Sequence, residues 1–400
     1  MKFLRRISTR QLLSLCAVVA ALGLGATGLA LATTGGGPTP APKPLPVAIH
    51  DALAAPQVAG VSGRIEFTNH LIDSSSIQGS DPLISGASGR FWASPDGHLR
   101  IELQADASNR GGGGDVQILA DRSQVTVFDS GAGTAYEATL PQHNEAGSNG
   151  GSAEQVPSVD RIQRQIDKVM EHADLSGATP SDVAGQPAYT VRVSPKHDGG
   201  LLGGAEVAWD AVHGTPLRAA VFASDSSSPV LELKVTDISF AAVPDSVFAI
   251  APPAGTKITQ LSPPNHGSDG QADSAPVTGL DAVQQQTSFQ VVAPQSLAGL
   301  PQGEVRLISS GKDAGALVTY GEGLGGIAVV ELPADSGNSS NGSSAESGRL
   351  KLPSVSVNGA TGQELDTALG TVIRFQRGGV EYIVAGSVLP AAAEAAARAL

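Results

Sequence analysis

Polar and apolar residues alternate along much of the chain between residues 64 and 238. In the segment 64–71, Ile65, Phe67 and Leu71 fall on one side of an extended backbone, and charged or polar residues fall on the other. The same period of two recurs in segments 98–106, 188–193, 206–211 and 230–238. Strands that are apolar on one face and polar on the other are typical of an antiparallel sheet, because the strands of a parallel sheet read as continuous apolar runs.

Turn signals separate these segments at short intervals. The sequences SPDG at 94–97 and AVHGTP at 211–216 contain the Pro, Asp and Gly residues that tight turns require. They predict hairpins between neighbouring strands, so that the sheet is a meander.

Two segments have the spacing of helices that could cover the apolar face. Ser158 is a suitable N-cap, and the apolar residues that follow it recur on one helical face. The members of this stripe are Val159, Ile162, Ile166, Val169 and Met170. A second, shorter helix is predicted at 46–55. For residues 46–260 the pattern therefore predicts one curved antiparallel sheet with helices on its concave side.

The segment VPDSVFAIAPPAGTKI at 243–258 is interpreted as the last strand of this sheet. It runs into Pro252, Pro253 and Gly255. Because proline has no backbone N–H to donate to a further strand, the sheet is expected to end there.

The N-terminus has the features of a membrane-targeting segment. An apolar run from Leu12 to Ala32 follows several basic residues. Three interpretations are open: a lipoprotein signal that uses Cys16, a signal cleaved after Ala32, or a retained anchor. The length of the run favours the anchor, since it exceeds the usual apolar region of a cleaved signal. The bulk of the chain is then expected outside the cytoplasm, at the cell membrane, or secreted if the segment is cleaved.

Composition excludes several classes of function. The chain has 25 basic and 38 acidic residues and a formal charge of −13, and its basic residues form no cluster outside the N-terminus. This balance argues against nucleic acid as a partner. A single cysteine excludes a disulfide framework.

Pro- and Gly-rich stretches divide the chain. The expected divisions are a signal anchor or signal peptide at 1–34, a Pro/Gly-rich spacer at 35–45, the sheet domain at 46–260, a linker at 261–277 and a small α+β domain at 278–400.

Several residues in the sheet domain carry a resemblance to a known family. The segments SGRFWASPDGHLRIEL and QILADRSQVTVFDSGAGTAYEA resemble the LolA-like family of outer-membrane lipoprotein carriers over roughly residues 46–260. Gly89, Trp92, Pro95 and Arg100 stand at matching places, although Ser94 replaces the basic residue that family carriers often have. The tail resembles a small uncharacterised domain of bacterial extracytoplasmic membrane proteins.

The resemblance implies an unclosed antiparallel β-barrel covered by helices, with an apolar cavity that accepts acyl chains. The residues expected to line that cavity are Phe67, Phe91, Leu99, Ile101, Leu103, Val125, Val127, Tyr189, Val191 and Leu231, and the stripe of the helix after Ser158 is expected to form the lid. The expected function is non-enzymatic binding of a lipid or an acylated lipoprotein at the outer face of the cytoplasmic membrane. Family relatives that sense envelope stress give the alternative of a regulatory module that binds an envelope protein.

The sequence offers little for catalysis or cofactors. The motif GEGLGG at 321–326 fits a dinucleotide fingerprint, but a strand-like segment follows it where a helix is required, so a hairpin turn is predicted. The eight histidines lack metal-ligand spacing, and His197 lies in a polar turn. No enzyme activity, metal or cofactor is expected.

Overall fold

A computed structural model describes residues 37–72, 86–105, 115–131, 133–140, 156–196, 200–261, 277–310, 313–334 and 352–400. Within these ranges the chain is mostly β, with two sheets and few helices, and the first sheet curls into a half-barrel. The predicted fold class, mainly β with helices and a small α+β unit at the C-terminus, is confirmed.

The first sheet has thirteen strands. Their bounds are β1 Val61–Asn69, β2 Ala87–Ala93, β3 Leu99–Ala105, β4 Asp115–Ala120, β5 Gln124–Asp129, β6 Thr134–Thr139, β7 Ala173–Leu175, β8 Thr179–Val183, β9 Gln186–Pro195, β10 Leu202–Asp210, β11 Pro216–Ala223, β12 Pro229–Ser239 and β13 Lys257–Leu261. Each predicted alternating segment coincides with a strand apart from one or two residues at some of its ends, as period-two burial of one face requires.

The strand order shows two meanders joined edge to edge. Strands β1 to β6 pair with their sequence neighbours in one direction, and β9 to β12 do so in the other. The first and last of these strands, β1 and β12, pair antiparallel. The joining pair therefore lies in the middle of the sheet, and β13 lies at its edge, parallel to β6.

Both predicted helices are present. Helix α1 spans Leu45–Ala54 and helix α2 spans Val159–Val169. Ser158 caps α2, because its hydroxyl accepts a hydrogen bond from the backbone N–H of Arg161 at 3.4 Å. The Nδ1 atom of His50 on α1 lies 3.0 Å from the carbonyl oxygen of Pro157, which links α1 to the start of α2.

The prediction of a strand at 243–258 is wrong for residues 243–256, and only its last two residues lie in a strand, β13. Residues Asp245–Val247 form a 3₁₀ turn, and the chain from Phe248 to Thr256 is irregular. The N–H groups of this turn bond locally, Val247 to the carbonyl of Pro244 and Phe248 to the carbonyl of Asp245. These local bonds and the prolines leave few donors for a ladder, so the final strand, β13, forms only after the prolines.

The second sheet has eight strands. They are β14 Ser296–Leu297, β15 Leu300–Ser310, β16 Asp313–Tyr320, β17 Ile327–Pro333, β18 Ser354–Val357, β19 Ala360–Thr367, β20 Gly370–Arg377 and β21 Val380–Gly386. Helix α3, Leu280–Gln284, precedes the sheet, and helix α4, Pro390–Ala399, packs against β18, β20 and β21. The predicted hairpin at GEGLGG is confirmed, because β16 and β17 pair antiparallel on either side of it.

Some sequence predictions fall outside the described residues. These are the apolar run Leu12–Ala32 and the turn that contains His197. In the part of the chain that the structure describes, no helix is long and apolar enough to cross a bilayer.

Candidate ligand-binding face of the first sheet

The strand register places all ten predicted lining residues on one face of the first sheet. Directly opposite residues of paired strands point to the same face. Val191 lies opposite Val207, Val207 opposite Ala219, Ala219 opposite Leu233, and Leu233 opposite Phe67. This row crosses the sheet from β9 to β1.

The remaining residues follow from the same register. Phe91 lies opposite Ile101, Ile101 opposite Ile118, and Ile118 opposite Val127. The other members, Leu99, Leu103, Val125, Tyr189 and Leu231, each lie two positions along a strand from a residue already placed. We call this surface the apolar face.

The helices cover one part of the apolar face. Tyr189 and Val191 of β9 and Trp209 of β10 pack in one buried cluster with the inner side of α1. The rings of Tyr189 and Trp209 lie 6.1 Å apart, centroid to centroid. Ile166 of α2 packs against the same cluster. The helices therefore lie over the β9–β10 part of the sheet.

Three of the five residues of the predicted lid stripe are packed or half-buried. Ile162 is buried, Ile166 packs against the helix-covered cluster, and Val159 is half-buried. Val169 and Met170, at the end of the helix, are each 41 % exposed. The helix predicted as a lid is thus packed at its N-terminal end and exposed at its C-terminal end.

The other part of the apolar face is less covered. Phe91, Ile101, Leu103 and Val127 contact a second buried cluster around Ile65 and Val235. Four predicted residues, Phe67, Leu99, Val125 and Leu231, are half-buried and belong to neither cluster, and Leu233 beside them is 40 % exposed. Among the described residues, the cluster that contains the helices takes no side chain from β1 to β6.

The opposite face of the same strands carries a ladder of charges. Arg218 on β11 bonds to Glu206 on β10 at 2.6 Å, and Arg192 on β9 bonds to the same carboxylate at 3.0 Å. Burial opposes ionisation of Glu206, but the hydrogen bonds from the two arginines outweigh it and hold its pKa below the usual value. The sheet therefore has one apolar and one charged face, as the alternation predicts.

The sequence did not indicate a groove between the two sheets. Its volume is about 530 Å³, and it is lined by Leu71 and Leu201 from the first sheet and by Leu365 and Leu389 from the second, among other residues. The backbone N–H of Leu201 lies 2.9 Å from the hydroxyl of Ser387. Such pairs are far apart in the chain, so no local pattern points to them.

Comparisons with known proteins find solved structures that resemble this chain at low sequence identity and low TM-score. No protein-family model and no curated protein matches the chain. The chain is similar to the crystal structure of MucB in complex with MucA(peri), at 14 % identity over 84 % of this chain and 91 % of that one, with a TM-score of 0.38. It is also similar to the MucA/MucB complex of Pseudomonas aeruginosa, at 15 % identity over 88 % and 94 % of the two chains, with the same TM-score of 0.38.

A LolA superfamily protein from Nitrosomonas europaea is similar at 10 % identity over 52 % of this chain and 98 % of that chain, with a TM-score of 0.22. Likeness at this level assigns neither a family nor a function.

Proposed function

We propose that the first sheet binds an acyl chain of a lipid or lipoprotein on its apolar face, in a protein held at the outer side of the cytoplasmic membrane by the segment Leu12–Ala32. The observation that carries the proposal is the partial cover of this face. Phe67, Leu99, Val125 and Leu231 share one face and lie outside both buried clusters.

The energetics suit an acyl ligand. Burial of one methylene is worth about 0.8 kcal/mol, so a ten-carbon chain gains on the order of 8 kcal/mol before the entropic cost of binding. Burial on the apolar face supplies this energy without any polar contact to the ligand. The opposite face carries paired charges instead, such as Arg218 with Glu206.

The test compares two substitutions of the same kind on opposite faces. Leu233 is 40 % exposed on the apolar face, and Ile258 is 56 % exposed at the sheet edge. Ile258 lies opposite Ala135, which lies opposite Phe128, on the face that carries the charges. Leu233→Glu places a carboxylate against the ligand, whereas Ile258→Glu places the same group in water.

The full chain is purified in mild detergent, and its bound lipid is extracted with solvent and measured by mass spectrometry. We expect wild type and Ile258→Glu to retain lipid and Leu233→Glu to lose most of it, since a charge in an apolar contact costs several kcal/mol. A wild-type protein without lipid, or equal retention by both variants, would contradict the proposal.

The groove between the sheets supports a second candidate, a module that binds an envelope protein. Leu389 is 63 % exposed at this groove, whereas Leu324 is 54 % exposed in the β16–β17 turn outside it. A photo-cross-linking residue at position 389 is expected to capture one discrete protein in cells, and the same residue at position 324 is not. Identical patterns from both positions would remove this candidate.

A further inference from the structure

A carboxyl group lies inside the core of the second sheet. The inward positions of β17 are Ile327, Val329 and Glu331, and Glu331 has 0 % of its surface exposed. Around it are the aromatic and aliphatic side chains of the largest buried cluster in the described part of the chain. A charged group in such surroundings is costly unless several donors satisfy it.

The carboxyl of Glu331 has one hydrogen-bond donor within the described residues. The backbone N–H of Val292 lies 3.0 Å from one oxygen and 3.2 Å from the other. An ionised carboxylate can accept about four hydrogen bonds, so most of this capacity is unused. Val292 belongs to residues 287–294, a segment without helix or strand that we call the strap.

The strap covers the core and is otherwise held by groups that do not titrate. Gln284 donates to the carbonyl of Phe289 at 2.7 Å and accepts from the N–H of Val291 at 2.8 Å. Gln302 donates to the carbonyl of Ala293 at 2.9 Å. Val291 is buried, and Phe289, Val292 and Ala293 pack against the cluster. Of the side chains that clamp the strap, Glu331 alone can change its charge.

The other titratable groups near Glu331 are tyrosines. Tyr320 on β16 is buried, and its hydroxyl has no hydrogen-bond partner among the described residues. Tyr382 on β21 lies opposite Glu331, and the guanidinium of Arg377 lies 5.8 Å from the centre of its ring. Burial raises the pKa of both tyrosines, and the carboxylate of Glu331 raises them further, so both stay neutral.

Glu331 itself titrates in the physiological range. Burial raises its pKa to about 7, and the hydrogen bond from Val292 opposes that shift only in part. Its neutral form therefore favours the closed core, and its ionised form favours a state in which water reaches the carboxylate.

We propose that Glu331 makes the strap a pH-sensitive cover of the second sheet, closed while the carboxyl is neutral and opened to water when it ionises. The pKa of a solvated glutamic acid is 4.5, whereas burial in the closed state raises the pKa of Glu331 to about 7. The equilibrium constant for opening therefore rises between these two pH values and then levels off. The rise is on the order of tenfold per pH unit within this window. This device does not depend on the acyl-binding proposal.

Hydrogen exchange of the full chain tests the proposal. Amide protection of residues 287–294 is measured at about pH 5.5, within this window, and at about pH 7.5, just above it, and is corrected for the intrinsic exchange rate. We expect the opening constant of wild type to rise more than about tenfold, and that of Glu331→Gln to change less than about twofold. Glu364→Gln is the matched control, because burial also raises the pKa of Glu364, on β19 of the same sheet, and it should behave as wild type.

A second variant keeps the test decisive if Glu331→Gln folds poorly. Gln284→Ala removes a clamp that does not titrate, so the strap should open more at both pH values while the pH dependence is kept. Wild-type protection that is equal at both pH values, or a pH dependence that persists in Glu331→Gln, would overturn the proposal.

Discussion

The hydroxyl of Tyr189 donates a hydrogen bond to the backbone carbonyl of Ala41 at 2.6 Å. This bond joins β9 of the first sheet to the Pro-rich stretch that precedes α1. Gly37 in the same stretch lies against the carboxylate of Asp182, where a Cβ atom would come within 1.6 Å of an oxygen. Gly37 and Ala41 of the predicted spacer thus contact the first sheet, only a few residues after the apolar run at 12–32.

Removing the Tyr189 hydroxyl should loosen this attachment. Tyr189→Phe loses one buried hydrogen bond, and we expect the free energy of unfolding to fall by about 1 kcal/mol in denaturant titrations. Tyr136→Phe on β6 is the control, with an expected change below about 0.5 kcal/mol. Equal effects of the two variants would show that the bond to Ala41 does not stabilise the fold.

The two ends of helix α2 should differ in their contribution to stability. Ile162 is buried and Val169 is 41 % exposed. Ile162→Ala leaves a cavity under the helix, and we expect a loss of about 3 kcal/mol, whereas Val169→Ala should cost less than about 0.5 kcal/mol. Chemical denaturation followed by the fluorescence of Trp209, in the cluster under the helices, measures both. A small effect of Ile162→Ala would mean that the helix is not part of the cooperative core.

The relative position of the two sheets should depend on Gly200. Its φ is 59°, and a Cβ atom there would lie 2.3 Å from the carbonyl oxygen of Ser387. Gly185 also has a positive φ, 73°, but its Cβ position is open. Alanine at either position should cost roughly 1 kcal/mol through backbone strain.

Only Gly200→Ala should also disturb the contact between the sheets. In a Cys16→Ser background, spin labels at Thr139 and Glu322 report the distance between the sheets by pulsed electron paramagnetic resonance. We expect a broader or shifted distance distribution for Gly200→Ala and an unchanged one for Gly185→Ala. Superimposable distributions for both variants would argue against a joint at Ser387.

The stability of the second sheet should fall as the pH rises from 4.5 to about 7. Burial raises the pKa of Glu331 to about 7 from an unfolded value of 4.5, so the folded state binds the extra proton between these values. The stabilising effect of the neutral form is complete below 4.5 and is lost as the pH reaches about 7. The loss is at most about 3 kcal/mol.

Calorimetry of Glu331→Gln between about pH 5 and pH 8 checks this pH dependence. The variant should unfold at nearly the same temperature across this range, while wild type unfolds at a lower temperature at the higher pH. A wild-type unfolding temperature that increases with pH in this window would contradict the assigned direction.

Features that depend on residues close together in the sequence were the ones that could be predicted. The faces of β1, β3, β9, β10 and β12 were predicted because side-chain alternation is a property of the extended backbone itself. The helix after Ser158 was predicted because cap and stripe lie within one segment. The strand prediction failed at 243–256 because apolar content alone does not fix the backbone there. The carbonyls of Pro244 and Asp245 accept local hydrogen bonds, and these form a 3₁₀ turn instead of a strand.

The sequence by itself determined which side chains of the alternating segments share a face, that these segments form strands and the stripe after Ser158 forms a helix, and that the first sheet is apolar on one side and charged on the other. Tertiary structure decided which part of the apolar face α1 and α2 cover, that the carboxyl of Glu331 has the N–H of Val292 as its one hydrogen-bond donor among the described residues, and that Leu201 contacts Ser387. The physical reason is distance along the chain: periodicity acts over a few residues, whereas strand register and sheet curl bring together residues that no local pattern relates.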